Sequence, residues 1–152
     1  MVRRFERIEV AVAGTFLVLM VAMIFTGGVA RMMRMPLNMT IDLATCFFAW
    51  ATFLAADIAW RRDGLIAIRM LPDNLPPRAA FWLGMVNFGI VLAILAYGMY
   101  AGCWLAWVSR ARSFQGMPNV SYSWVTLSLP VGSALMFGTT LTKIRDHWRA
   151  RP

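Results

Sequence analysis

The sequence predicts an all-α membrane protein with four transmembrane helices, a cytoplasmic interfacial elbow between the second and third, and both termini in the cytoplasm. Hydrophobic residues make up 60% of the 152 residues and charged residues only 14%, which leaves too little polar surface to cover a soluble globule of this size. The uncharged residues form long runs, and the basic residues stand at the ends of those runs. We therefore predict a single membrane domain over residues 1–152.

The first helix is predicted over residues 10–30. This run carries no charge for twenty-one residues, which is about 31 Å of helix and enough to cross a hydrocarbon core. A basic segment precedes it, as in a secretory signal, but more membrane sequence follows where a polar mature domain would be expected. Cleavage is therefore not expected.

The second helix is predicted over residues 43–60. Asp42 is expected to cap its first turn, and only fourteen uncharged residues separate Asp42 from Asp57. Asp57 lies four residues before Arg61, so an ion pair at this spacing would satisfy the acid near the headgroups. A structural role for Asp57 is favoured over a role in ion transport, and both interpretations remain open.

The central segment, 62–77, is predicted to lie along the headgroups as an interfacial elbow. Its apolar residues would dip inward, and three prolines interrupt any regular helix. The basic residues here are either a solvated flank, which we favour, or contacts to anionic lipid headgroups or to an acidic patch of a partner. These candidate contacts are Arg61, Arg62 and Arg69.

The third helix is predicted over residues 79–109 and the fourth over 122–142, with Pro130 inside the fourth. Thirty-one uncharged residues in the third correspond to about 46 Å, so this helix must tilt or project from the bilayer core. The polar sequence SFQGMPNVSYS between them contains glycine and proline and predicts a turn outside the bilayer.

The distribution of Lys and Arg predicts the orientation. The N-terminus, the elbow and the C-terminal tail hold eleven of these residues, and the other two loops hold four. The positive-inside rule then places the eleven in the cytoplasm, so the net charge of +8 reflects topology and not nucleic-acid binding. The four arginines on the opposite side are candidate contacts to a partner or to lipid: Arg31, Arg34, Arg110 and Arg112.

Chemistry-bearing residues are sparse, and we predict no catalytic, cofactor or metal site. His147 is the only histidine and lies in the basic tail, which excludes a bis-histidine haem within this chain. Cys46 and Cys103 lie inside apolar runs, where cysteine acts as a small hydrophobe. No nucleophile stands beside a base, and bound phospholipid is the one ligand to be expected.

Several residues are candidates for helix packing, together with Asp57. Gly98 and Gly102 form a GxxxG pair, and Ala134 and Gly138 form a second pair of small residues, both of which let backbones approach closely. Asn87, about two turns into the third helix, needs a hydrogen-bond partner in this chain or in another.

Three segments together resemble a known family. They are FLAADIAWRRDG at the end of the second helix, LIAIRMLPDNLP in the elbow and WVTLSLPVGSALMF in the fourth helix. With the helix count and order, the chain resembles the small, DctQ-like membrane subunit of tripartite ATP-independent periplasmic (TRAP) transporters over nearly its whole length. It departs from the family at Leu65 and around Ile68 and Arg69, where relatives often have a histidine and an acid.

This resemblance implies a location in the bacterial inner membrane and a specific role there. In such systems the small subunit binds a much larger elevator-type permease subunit, which moves an organic acid with a sodium gradient, and sodium binds to the large subunit. A periplasmic substrate-binding protein delivers the substrate, and the small subunit extends the static scaffold and helps to dock it.

Two other classes of function remain as alternatives. A small multidrug-type exporter also has four helices, but it is shorter and keeps a glutamate well inside the first helix, whereas Glu9 precedes the apolar run here. A membrane anchor subunit of a respiratory enzyme would need haem ligands or a partner that supplies them.

Overall fold

The computed structural model describes residues 2–35, 37–62, 77–114 and 117–149. The predicted elbow lies almost entirely outside these residues, and so does Arg69. The described elements, in chain order, are α1 (Val2–Met32), α2 (Met39–Arg61), α3 (Pro77–Val108), a 3-10 turn (Ser109–Ala111), β1 (Ser113–Phe114), β2 (Met117–Ser121), α4 (Ser123–Thr126) and α5 (Ser128–Arg149).

Four helical segments are long and apolar enough to cross a membrane, which confirms the four-helix prediction and makes this a multi-pass membrane protein. Helix α2 begins at Met39, so Asp42 lies within its first turn and is not its cap as we predicted. A carboxylate at that position still favours the helix, because it faces the positive end of the helix dipole. The four segments are Glu6–Met32, Met39–Arg61, Phe81–Ala111 and Ser123–Arg149.

The helices pack mainly in a row, in the order α1, α2, α5, α3. Helices α1 and α2 are antiparallel, whereas α2 and α5 run in the same direction, with the Trp60 indole against Thr140 and the Trp50 indole against Trp124. Helix α3 is antiparallel to α5, and its Phe81 ring stacks on His147 with centroids 4.9 Å apart. The described N- and C-terminal ends of the chain therefore lie at the same end of the row.

Apart from Phe81, Val125 and Pro130, the described residues buried between the helices are small or polar, and many bulky apolar side chains face outward. Buried alanines line α1 and α2, and buried hydroxyl residues line α5, whereas large hydrophobic side chains along α1 and α3 are exposed. Helices in lipid gain nothing from hiding apolar side chains, so close backbone approach and interhelical hydrogen bonds stabilise their contacts instead.

The segment that we predicted to be a turn outside the bilayer contains a short antiparallel pair, β1 and β2. Phe114 is only 3% exposed and meets the Tyr122 ring edge to face, with centroids 5.7 Å apart. The helical segment that follows is interrupted at Leu127, between α4 and α5, and Pro130 falls in the first turn of α5. Proline is tolerated there because the first backbone N–H groups of a helix have no intrahelical acceptor.

Candidate functional site

A buried cluster of charges joins three helices at the end of the row where the chain termini lie. We call it the charged junction and define it as Glu9 on α1, Asp57 and Arg61 on α2, and Thr139 on α5. Asp57 is fully buried, and the predicted ion pair with Arg61 is present. The Arg61 guanidinium also lies 3.3 Å from Glu9 Oε2, and Thr139 Oγ1 donates a 2.7 Å hydrogen bond to Asp57 Oδ1.

A second group of contacts surrounds the charged junction. The Trp60 indole N–H donates a 3.0 Å bond to Thr140 Oγ1, and the Lys143 ammonium lies 4.8 Å from the centre of the Trp60 ring. Arg62 Nε donates to Glu6 Oε1 at 2.6 Å, on a more exposed side of the helices. These contacts repeat the same helix pairings, α2 with α5 and α2 with α1, so they reinforce the junction.

The charged junction is suited to holding helices together. One guanidinium faces two buried carboxylates, and a hydroxyl fills one further acceptor position on Asp57. The Glu9 oxygens accept no hydrogen bond in the part of the chain that the structure describes, so the Arg61 contact is electrostatic. The described residues contain no group of three or more His, Cys, Asp or Glu side chains able to hold a metal ion.

The predicted basic contacts near the elbow occupy different environments. We predicted Arg61 as a solvated, lipid or partner contact, but its guanidinium turns inward because two carboxylates face it, and its side chain is 19% exposed. Arg62 remains largely exposed beside Glu6. Arg69 lies outside the described residues, so its role remains a prediction.

The other four predicted arginines lie at the opposite end of the row, which we call the hairpin end after β1 and β2. All four are exposed, and none forms an ion pair with a described residue. The Arg110 guanidinium lies 4.5 Å from the centre of the Trp107 ring, and that of Arg112 lies 5.2 Å from the Tyr122 ring. Contact with a ring leaves the N–H groups at the guanidinium edge available to bind an anion. These hairpin-end arginines are Arg31, Arg34, Arg110 and Arg112.

The two predicted pairs of small residues lie on different surfaces. A Cβ atom at Gly98 would lie 2.9 Å from Ser133 Oγ, and one at Gly102 would lie 2.7 Å from Pro130 Cδ, so this pair lets α3 approach α5 closely. The other pair, Ala134 and Gly138, lies on the exposed side of α5. A Cβ atom at Gly138 would meet no described atom within 4 Å.

Asn87 lies on the exposed side of α3. Its side chain makes no hydrogen bond to any described residue, so the partner predicted for it is not found within this part of the chain.

Sequence reasoning missed several of the residues that build the junction. The sequence places Glu9 before the first apolar run and Thr139 within the fourth, with no local signal of a contact, yet both contact the Asp57–Arg61 pair. One available signal was the spacing of Glu6 and Glu9, which puts two acids on one side of α1. Gly132 was also missed as a packing residue, although a Cβ atom there would lie 2.5 Å from Phe53 Cβ.

Comparison with known proteins identifies a family for this architecture. The family model described as tripartite ATP-independent periplasmic transporters, DctQ component, matches residues 10–150. No curated protein matches the chain.

Proposed function

Since this chain belongs to the DctQ component family of TRAP transporters, and is thereby the small subunit of such a transporter, we propose that it is the static scaffold of a sodium-coupled importer. In this proposal it binds the large elevator-type permease subunit and helps to dock the periplasmic substrate-binding protein. The transported substrate is an organic acid, and sodium binds to the large subunit. The chain itself holds no cofactor beyond bound phospholipid.

One observation supports the scaffold role. The charged side chains within the spans lie near the helix ends, where the buried ones join the helices to one another. In the described parts of the four spans, charged side chains stand within about two turns of a helix end. Coupled transport through this chain alone would instead need ionisable groups at mid-membrane depth. The buried charges that do exist tie α1, α2 and α5 to one another, which favours a fixed body over a moving one.

The orientation follows from the charges at the two ends of the row. We propose that the charged junction lies at the cytoplasmic face, because the larger number of basic residues flanks that end. The hairpin end then faces the periplasm and presents exposed arginines to the delivery protein. A complementary acidic patch on that protein would speed its encounter with the transporter.

Co-purification from the native membrane tests the proposal. The tagged chain is extracted in mild detergent, and the proteins that remain bound are identified and quantified by mass spectrometry. We expect one large polytopic membrane protein in near-equal amount. Recovery of the chain alone, as a monomer or homodimer, would contradict the scaffold role.

A further inference from the structure

An open groove runs between α1 and α2. It encloses about 350 Å³, and the described residues that line it belong to these two helices alone. Its lining is small and apolar except for Thr52, which donates a 2.8 Å hydrogen bond to the Phe48 carbonyl, so the lining side chains offer no unpaired polar group. We call it the α1–α2 groove and define it by its lining: Ala13, Gly14, Leu17, Ala51, Thr52 and Ala55.

Charged residues stand at one end of the groove. Arg62 lies seven residues after Ala55 on α2, and Arg7 lies seven residues before Gly14 on α1, so each arginine is on the groove side of its helix. Each is therefore about 10 Å along the helix axis from the groove, toward the end that holds the charged junction. The ion pair between Arg62 and Glu6 joins α1 and α2 at this same end.

Both arginines have N–H groups available for an anion. Arg7 is exposed and forms no ion pair or hydrogen bond with a described residue. The Arg62 side chain is 61% exposed and uses its Nε–H for Glu6, so the N–H groups of its two terminal nitrogens remain. One carboxylate thus stands beside two guanidinium groups, which leaves this end of the groove positively charged.

We propose that the α1–α2 groove binds one acyl chain of an anionic phospholipid of the cytoplasmic leaflet, whose phosphate lies at Arg7 and Arg62. This inference rests on the proposed orientation, which puts that end at the cytoplasmic face, where anionic lipids attract basic residues. Arg7 and Leu17 are ten residues apart, which is about 15 Å of helix and half the thickness of a hydrocarbon core of about 30 Å. A chain that descends from the arginines therefore follows the groove along its whole length.

A helix from another protein fits this groove less well. Helices associate in lipid through close backbone approach and interhelical hydrogen bonds, and the lining side chains have no hydrogen bond to offer. Two exposed bulky residues bound the groove at its far end, Val21 four residues after Leu17 and Phe48 three residues before Ala51. They would hold a rigid helix away, whereas a flexible acyl chain can end beside them.

Lipid retention by the full chain, purified in mild detergent and analysed by native mass spectrometry, tests the charged end of the site. The probes are phosphatidylglycerol and phosphatidylcholine with identical acyl chains. We expect retention of one phosphatidylglycerol with about tenfold preference, and Arg7→Gln and Arg62→Gln should each lower its affinity about threefold to fivefold, as for one basic residue near an anionic surface. Arg145→Gln, an arginine 65% exposed at the same end, is the matched control and should change nothing. Equal retention of the two lipids, or an equal loss in the control, would overturn the inference.

Filling the groove tests the site of the acyl chain. A Cβ atom at Gly14 would meet no described atom within 4 Å, so Gly14→Leu occupies the groove without crowding the fold. Gly28→Leu is the control, because Gly28 has equally open space on α1 and does not line the groove. In membranes with the complete transporter, phosphatidylglycerol with a photoreactive acyl chain should label α1 and α2 at the groove, about fivefold less in Gly14→Leu and unchanged in Gly28→Leu. Equal labelling of the two variants, or labelling of the isolated chain that disappears in the complete transporter because a protein covers the groove, would overturn the inference.

The lipid site and the proposed function fail separately. If the permease co-purifies but phosphatidylglycerol is not preferred, the scaffold role stands and the lipid site is wrong. If the permease does not co-purify but the chain still retains phosphatidylglycerol selectively, the scaffold role fails and the lipid site stands.

Discussion

The two ends of the row of helices use arginine in opposite ways. At the charged junction, Arg61 turns inward and binds carboxylates from two helices. At the hairpin end, neutral hydrogen bonds join the helices, such as the 2.8 Å bond from Ser123 Oγ to the Ala106 carbonyl. Arg110 and Arg112 lie there against aromatic rings and remain exposed.

This difference shows that the neighbouring residues decide what each arginine does. Where buried acids face an arginine, its guanidinium binds them and joins the helices. Loss of that arginine would leave the acids buried without a partner. Where only rings and solvent face it, the guanidinium keeps free donors for another molecule. The charged junction therefore stabilises the fold, and the hairpin end is the better candidate for recognition.

The largest expected effect is loss of the charged junction. Arg61→Met leaves Glu9 and Asp57 buried without their cation, so we expect the free energy of unfolding to fall by about 3–5 kcal/mol, measured by denaturation in detergent. Arg62→Gln is the matched control, because its exposed pair with Glu6 contributes less than about 1 kcal/mol. Similar losses in the two variants would show that burial does not distinguish these arginines.

A smaller effect is expected from crowding the contact that continues from the junction along α2 and α5. Gly132→Ala puts a methyl group against Phe53, whose nearest atom lies 2.5 Å from the new Cβ, so unfolding should become easier by about 1–3 kcal/mol. Gly138→Ala meets no described atom within 4 Å and should not lower the thermal midpoint, because alanine favours a helix more than glycine does. If the two alanine variants have the same thermal midpoint, the close approach of α2 and α5 is wrong.

Substitutions at the hairpin end should lower the free energy of unfolding less than the loss of the charged junction does. Ser123→Ala removes the neutral hydrogen bond to the Ala106 carbonyl and the longer one that Ser123 Oγ accepts from Ser121 Oγ, and should cost about 1 kcal/mol in the same denaturation experiment. Thr15→Ala, which removes a hydroxyl bonded only to its own helix, serves as the control and should change stability less. A loss from Ser123→Ala as large as that from Arg61→Met would remove the contrast between the two ends.

The smallest effect on stability should come from the exposed arginines. The double change Arg110→Gln and Arg112→Gln should leave folding and subunit recovery intact. We expect it to raise the concentration of substrate-binding protein needed for half-maximal uptake by about threefold to tenfold, and less at high salt, because screening already weakens this attraction. Arg145→Gln, which changes another exposed arginine at the end of the row that holds the charged junction, is the control. Unchanged uptake by the double variant would argue against docking at the hairpin end.

The sequence predicted those features that depend on residues close to one another along the chain. Uncharged runs predicted the four spans, and the four-residue spacing predicted the Asp57–Arg61 pair. Thr139 bonds to Asp57 across 82 residues, so no local pattern could reveal that contact. Strand β1 has two residues, too few to show the alternation by which strands are recognised, and the five residues of β2, MPNVS, do not alternate strictly.

Uptake into proteoliposomes tests the scaffold role most directly. The permease and the substrate-binding protein are reconstituted with and without this chain, and accumulation of radiolabelled organic acid is measured after a sodium gradient is imposed. The scaffold role predicts rapid uptake with the chain and a large loss without it. Equal uptake in its absence would contradict that role.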